Sequence, residues 1–267
     1  MTEWLRVMTY NVRYDNPDDG DHRWEHRREA VANTIRFRGP DVLGLQEPLA
    51  HQLDFLRDQL SAFEFVGAPR IDGDAEGEYS PIAYRSERFE CLDTDTFWLS
   101  PDPDEVGSVG WDARYPRIVT WARLRDRETD SVFVHANTHF SHDGAQARPE
   151  SAVVVRERLD AITEPDEPIV LTGDFNAVEG EPGYEPLVDP AAGERTLENA
   201  IDRSTYGHHG PKTSVTDFEY LVPNRKIDHV FVSPEVDVRQ HGVCTDLRTD
   251  DAYPSDHFPV LAELSVA

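Results

Sequence analysis

Apolar residues in this chain fall mostly into short runs separated by Gly, Pro and Asp, the pattern of many strands joined by loops. The runs are LRVMTYNV (5–12), DVLGLQE (41–47), IAYRS (82–86), RIVTWARL (117–124), SVFVHANTHF (131–140), PIVLTGDF (168–175), KIDHVFVS (226–233) and PVLAELSV (259–266). Helical spacing shows in HRWEHRREAVANTIRF (22–37), which Gly39-Pro40 stops, and in PESAVVVRERLDAIT (149–163), with a third helix expected over 52–60. Loops are expected at 15–21, 72–81, 101–110 and 178–193. Strands outnumber helices too far for a strictly alternating parallel sheet, so two packed sheets flanked by helices suit the count. No internal repeat or long linker divides the chain, and one domain over 1–267 is expected.

Several of these strands end in polar residues that a core strand should not carry. In IVLTGDFN (169–176), Asp174 and Asn176 stand two apart and point the same way. Asn11 shares a face with Val7 and Thr9; Glu47 ends an apolar run just before a proline; His135, Asn137 and His139 alternate with apolar residues. Asp228 interrupts a strand suited to the core, and Asp256-His257 precede the last one. Each has an ordinary reading: a turn cap for Asn11, an Asx-turn for Asp174 and Asn176, an ion pair for Asp228, an N-cap for Asp256, a satisfied core histidine for His139. All of those readings would have to hold independently. One shared site explains them together, because a buried carboxylate costs several kcal/mol without a compensating partner. Carboxylates brought together raise one another's pKa unless a cation neutralises them. Glu, Asp and Asn oxygens suit Mg²⁺ or Mn²⁺ as cofactor, whereas zinc would want more His or Cys at close spacing. His139 and His257 suit phosphate contact and proton transfer near neutrality.

Composition narrows the setting. The 267 residues include 52 acids against 26 bases, a formal charge of −26, and Lys212 and Lys226 are the only lysines. Self-repulsion on this scale is relieved in molar salt, where the Debye length is about 3 Å. A cytoplasmic protein of a halophile is therefore expected. No apolar run approaches the roughly 18 residues of a membrane span, and MTEWLRVMTYNV reads as a first core strand rather than a secretory leader. Cys91 and Cys244 match no metal or redox spacing and read as buried thiols. RWEHRRE (23–29) reads as a solvated helix face, and His208-His209, between Gly207 and Gly210, as a solvated loop.

The ordered set YNVR (10–13), LQEP (45–48), NTHF (137–140), GDFNA (173–177), IDHVF (227–231) and SDHFPV (255–260) resembles the endonuclease/exonuclease/phosphatase superfamily. That group includes exonuclease III, pancreatic DNase, inositol polyphosphate 5-phosphatases, neutral sphingomyelinases and deadenylases. The resemblance implies an α/β fold, a four-layer α-β-β-α sandwich with two mixed sheets face to face. It implies Glu47 as principal metal ligand, with Asn11 and Asp256 contributing directly or through water. Asp174 would orient or deprotonate the attacking water, Asn176 would hold a phosphoryl oxygen, and His257, oriented by Asp228, would stabilise charge or act as base. His139 would bind phosphate or assist the leaving group. Arg117 and Asn137 are further candidates for substrate phosphate, arginine through bidentate contact.

The expected reaction is in-line attack of water on a phosphodiester or phosphomonoester. No stripe of bases interleaved with aromatics is present, so charge favours a small phosphoester or lipid headgroup over nucleic acid. A nuclease using the same residues is the main rival, and a non-catalytic scaffold on a decayed hydrolase fold the second. No obligate protein partner is evident.

Overall fold

The computed structural model describes residues 3–191, 193 and 195–266. The chain begins with β1 (Leu5–Asn11), α1 (Trp24–Arg38), β2 (Val42–Gln46), α2 (Ala50–Gln59), β3 (Phe63–Val66), β4 (Ile82–Arg85) and β5 (Phe89–Trp98). It continues with β6 (Ile118–Asp126), β7 (Val132–His139), α3 (Ala147–Ile162), β8 (Ile169–Asp174), α4 (Glu185–Val188) and β9 (Glu198–Asn199). Last come α5 (Ala200–Arg203), β10 (His208–His209), β11 (Asp228–Val232), β12 (Asp237–Val243) and β13 (Val260–Ser265). One sheet has seven strands in the order β10-β12-β13-β1-β2-β4-β3, the other six in the order β5-β6-β7-β8-β11-β9. Both are mixed: β1 runs parallel to β2 and β7 to β8, and most other neighbours are antiparallel.

Alternation along each strand builds the layers. Leu5 and Val7 of β1 face Phe133 of β7, Val170 of β8 and Val230 of β11 in a core between the sheets. Met8 and Tyr10 face the other way, onto Trp24, Val31 and Ile35 of α1. Ile169 and Leu171 pack on Ala152, Val155 and Leu159 of α3. The result is the expected four-layer sandwich.

The core between the sheets changes character along its length. Beyond Val7 and Val170 it becomes a hydrogen-bonded seam: Gln46 donates to Thr9 Oγ1 (2.9 Å) and Asn137 Oδ1 (2.7 Å), and Thr172 Oγ1 also donates to that oxygen (3.0 Å). Gly44 makes the seam possible, because a Cβ there would stand 2.3 Å from Asn137 Oδ1. Past the seam the sheets end in a cleft.

The expected helices are present, shifted by up to two residues. Strands β3, β5 and β12 carry no clean alternation and were not expected; β5 exposes Asp93, Thr94 and Asp95 at the sheet edge, where little apolar burial is available. The expected loop 178–193 contains α4, and its residue 192 lies outside the described residues. Both cysteines are free thiols, and Cys244 is buried.

Candidate active site

The cleft opens at the carboxyl ends of β1, β2, β7 and β8. It is a cavity of about 630 Å³ whose lining includes Glu47, His139, Asp174, Asn176, Asp256 and His257. Asn11, at the last position of β1, lies beneath the floor and donates its amide nitrogen to Glu47 Oε1 and Asp174 Oδ2, both at 3.0 Å. Its oxygen accepts from Arg13 N (2.9 Å), so Asn11 here spaces two carboxylates instead of presenting an oxygen of its own.

Strand parity alone would turn Glu47 outward with Leu43 and Leu45. Instead Glu47 has φ 72°, a left-handed conformation at a non-glycine residue preceding proline, and its carboxylate enters the cleft. Such a conformation costs roughly 1–3 kcal/mol, and the surroundings hold it: Oε2 accepts Tyr14 N at 2.9 Å. Burial opposes ionisation of Glu47, but the Asn11 hydrogen bond, the Arg13 charge and the Tyr14 N–H outweigh it and keep the carboxyl below its usual range. Asn176 is also left-handed, at φ 48°. Its backbone N–H bonds Asp174 Oδ1 (3.0 Å), while its side-chain nitrogen donates to Phe140 O (3.0 Å) and His139 Nε2 (3.1 Å).

The other carboxylates are under strain of a different kind. Burial, and then the charge of Asp228, push Asp174 up to about 7. Burial also raises Asp256, whose one ion partner among the described residues is Arg13 at 3.6 Å. Asp228 is fully buried behind His257, with Oδ2 2.9 Å from His257 Nδ1 and Oδ1 without a partner among the described residues. Burial works against the His257 imidazolium, yet Asp228 and Asp174 hold its pKa well above the usual value. Its Nε2 is 3.8 Å from Asp174 Oδ2, so the two aspartates sandwich one cationic ring. His139 has the opposite fate: burial, then Arg117 and Arg70, hold it neutral.

This donor set fits a hard divalent cation. Glu47, His139 and Asp174 each offer an atom within 4.8 Å of the others, as do Asp174, Asp228 and His257. Buried acids whose charge is unbalanced call for a positive group between them, and the carboxylates lining the cleft are Glu47, Glu78, Asp174 and Asp256.

Sequence reasoning thus named the residues that meet here, with exceptions. Asn137 does not line the cleft: it is wholly buried in the seam and donates to Leu45 O (2.7 Å) and Pro81 O (3.0 Å), so phosphate contact is replaced by a role in joining the sheets. Arg117 does line it; buried, it bonds His142 Nδ1 (3.0 Å) and leaves Nε and Nη1 without partners. The stretch 23–29 is not simply a solvated face, because Arg27 is fully buried. Its guanidinium donates to the carbonyls of Val12, Arg13 (2.6 Å), His22 (2.9 Å) and Pro254 (3.4 Å), tying the segment after Asn11 to the one before Asp256. Arg70, Glu78, Arg114 and Tyr115 also line the cleft from loops, and sequence reading assigned none of them to the site. Glu78 pairs with Arg70 (2.7 and 2.8 Å), and burial, then Glu47, raise it to about 7. Loop residues show no periodicity, so spacing gave no direction to Arg70, Glu78, Arg114 or Tyr115.

Comparison with known proteins agrees with this geometry. The sequence model of the Endonuclease/Exonuclease/phosphatase family matches residues 8–257. A solved endonuclease/exonuclease/phosphatase from Bacteroides vulgatus is 35% identical, with TM-score 0.91 over 99% of this chain and 100% of that one. A mannosyl-6-phosphatase from Bacteroides thetaiotaomicron is 32% identical, with TM-score 0.88 over 97% and 99%. Drosophila melanogaster Nocturnin is 25% identical over 91% of this chain, which spans only 42% of Nocturnin's length.

Proposed function

The chain belongs to the endonuclease/exonuclease/phosphatase family, and from that premise we propose that it is a divalent-metal-dependent hydrolase of small phosphoesters, a phosphorylated sugar or polyol foremost. The observation that carries the substrate class is the charge of the cleft. In a chain of net charge −26, one cavity gathers Arg13, Arg70, Arg114 and Arg117. Among the described residues neither Arg114 nor Arg117 has a carboxylate partner. Arg114 is exposed, but Arg117 is buried, and a desolvated guanidinium left unpaired in so acidic a protein is matched by an anionic ligand. The volume of about 630 Å³ suits a small molecule, and the likeness to a mannosyl-6-phosphatase points to the same class.

Mg²⁺ or Mn²⁺, held by Glu47 with Asp256, would supply polarisation of a phosphoryl oxygen and charge balance for the acids. Asp174, close to neutrality in its pKa and fixed by Asn11 and Asn176 N–H, orients the attacking water and accepts its proton. The His257 imidazolium, held by Asp228, donates from Nε2 to an equatorial phosphoryl oxygen and stabilises charge as the bond to water forms. Neutral His139, which also lines the cleft, holds the ester. The Asn176 amide reaches the phosphoryl group by exchanging its bond to His139. Arg117, at the cleft wall, places its positive charge beside the substrate. The acid-rich, lysine-poor surface is that of a protein working in concentrated salt.

A nuclease would use the same residues, and Nocturnin and Ccr4 exoribonuclease subunits among the sequence relatives favour that as the second reading. Hydrolysis of mannose 6-phosphate and bis(p-nitrophenyl) phosphate, run beside plasmid nicking and oligoadenylate trimming with Mg²⁺ or Mn²⁺, separates the two. Release of phosphate from the sugar ester, lost in Glu47→Gln, is expected. Nucleic-acid cleavage without it would replace this reading with the nuclease.

A further inference from the structure

The pair His208-His209 does not form the solvated loop its glycine flanks suggest. It forms β10, which pairs in parallel with β12 so that His208 stands opposite His241. The two rings meet nitrogen to nitrogen, with Nδ1 to Nδ1 at 3.0 Å. The other nitrogen of His208, Nε2, lies 3.0 Å from Pro211 O and must carry a proton to bond it, which leaves the His208 Nδ1 lone pair facing His241. His241 is 2% exposed, and its own Nε2 has no partner. Among the described residues neither ring has an acidic partner, although the chain holds 52 acids.

Whichever nitrogen of His241 carries its proton, this arrangement leaves a buried ring atom unsatisfied, which costs about 1–3 kcal/mol. Protonation on Nδ1 satisfies the pair but buries a bare Nε2. Protonation on Nε2 sets two lone pairs against each other. We propose that His208 and His241 form a site for a borderline transition-metal cation of the Zn²⁺ or Ni²⁺ class, with both Nδ1 atoms as ligands. At metal–nitrogen lengths of about 2.0–2.1 Å, two ligands at right angles stand about 2.9 Å apart and two tetrahedral ones about 3.3–3.4 Å. The observed 3.0 Å needs little movement for either. A histidine ligand that donates its second N–H to a backbone carbonyl is the usual supporting arrangement for a metal-bound imidazole, and Pro211 O provides it. Remaining positions open onto a cavity of about 490 Å³ lined by Arg6, Tyr206 and Cys244, leaving room for water or an added ligand. That cavity shares no lining residue with the catalytic cleft. Nitrogen ligands discriminate against Mg²⁺, so the two sites take different ions, and this one clips a two-residue edge strand onto the sheet.

The test uses the full chain, stripped with EDTA and carrying Glu47→Gln to weaken the catalytic site. ZnCl₂ and NiCl₂ are titrated by calorimetry in excess Mg²⁺, with and without His208→Ala. One ion per chain is expected, with affinity at least about tenfold weaker in His208→Ala, a change of about 1.4 kcal/mol. Equal binding in both proteins, or no binding in either, overturns the proposal. Histidine ring NMR of the unmutated chain gives an answer even if the variant misfolds: Ni²⁺ must broaden the His208 and His241 signals first. Broadening confined to exposed His209 overturns it as well.

Discussion

Replacing Asp228 with Asn should detach His257 from its charge while leaving its shape in place. The pair is buried, with Asp228 Oδ2 2.9 Å from His257 Nδ1. Taking the charge centres about 4 Å apart and an effective permittivity of about 20, the attraction is about 4 kcal/mol. Asp174, 3.8 Å from His257 Nε2, still supports the cation, so only part of the charge stabilisation is lost. Because the lost interaction favoured the charged ring, the His257 pKa moves down, and the alkaline limb of the kcat/KM profile moves down with it. On the alkaline side the imidazolium is depleted sooner than in wild type, and kcat there should fall by about 10²-fold. Two measurements check this: hydrolysis of mannose 6-phosphate against pH, and an NMR titration of His257 in the metal-free protein. Asp228→Asn is nearly isosteric, so circular dichroism and Tm should change little. An alkaline limb in its original position, with kcat within about threefold of wild type, would refute the assignment of His257 as a cation sustained by Asp228.

Other perturbations test other parts of the site. Asp174→Ala should abolish hydrolysis yet stabilise the metal-free fold above pH 7. The folded pKa near 7 exceeds the unfolded value of about 3.9, so ionised Asp174 lowers stability progressively from about pH 4 to 7, and thermal melts at pH 4 and 8 should show the gain at pH 8 only. Arg27→Met leaves the carbonyls of Val12, Arg13 and His22 without their donor and should cost about 3 kcal/mol. Melting should then shift down by roughly 6–12 °C, and kcat should fall as Asn11 and Asp256 lose their mutual register; an unchanged Tm would refute the clamp. Raising KCl from about 0.1 M to 2 M should raise Tm, since screening lengths shrink from about 10 Å to under 3 Å. A flat or falling Tm would argue against adaptation to concentrated salt.

Much of this protein was legible without coordinates, for a local reason. Asn11, Asp174, Asn176, Asp228 and His139 sit on or just after core strands, and a two-residue period reports which face each occupies. Polar residues on a face otherwise apolar betray a site, because burial must be compensated by something. The family motifs then fixed the order of the set and the sandwich. Three-dimensional structure decided what periodicity does not encode. Glu47 enters the cleft only because a left-handed turn reverses its parity. Asn137 satisfies the same alternation as His139 but lies deeper, where Gly44 lets the sheets close around its amide. Arg27 looked like any charged residue on a helix until the carbonyls at the ends of two distant segments converged on it. Arg70 and Arg114 of the cleft and the pairing of His208 with His241 come from loops and an edge strand, where sequence spacing carries no direction. Alternation is set within a few residues of each position, so the sequence alone determined it. Depth, chain reversal and long-range convergence depend on how the two sheets meet, and only the folded structure could decide them.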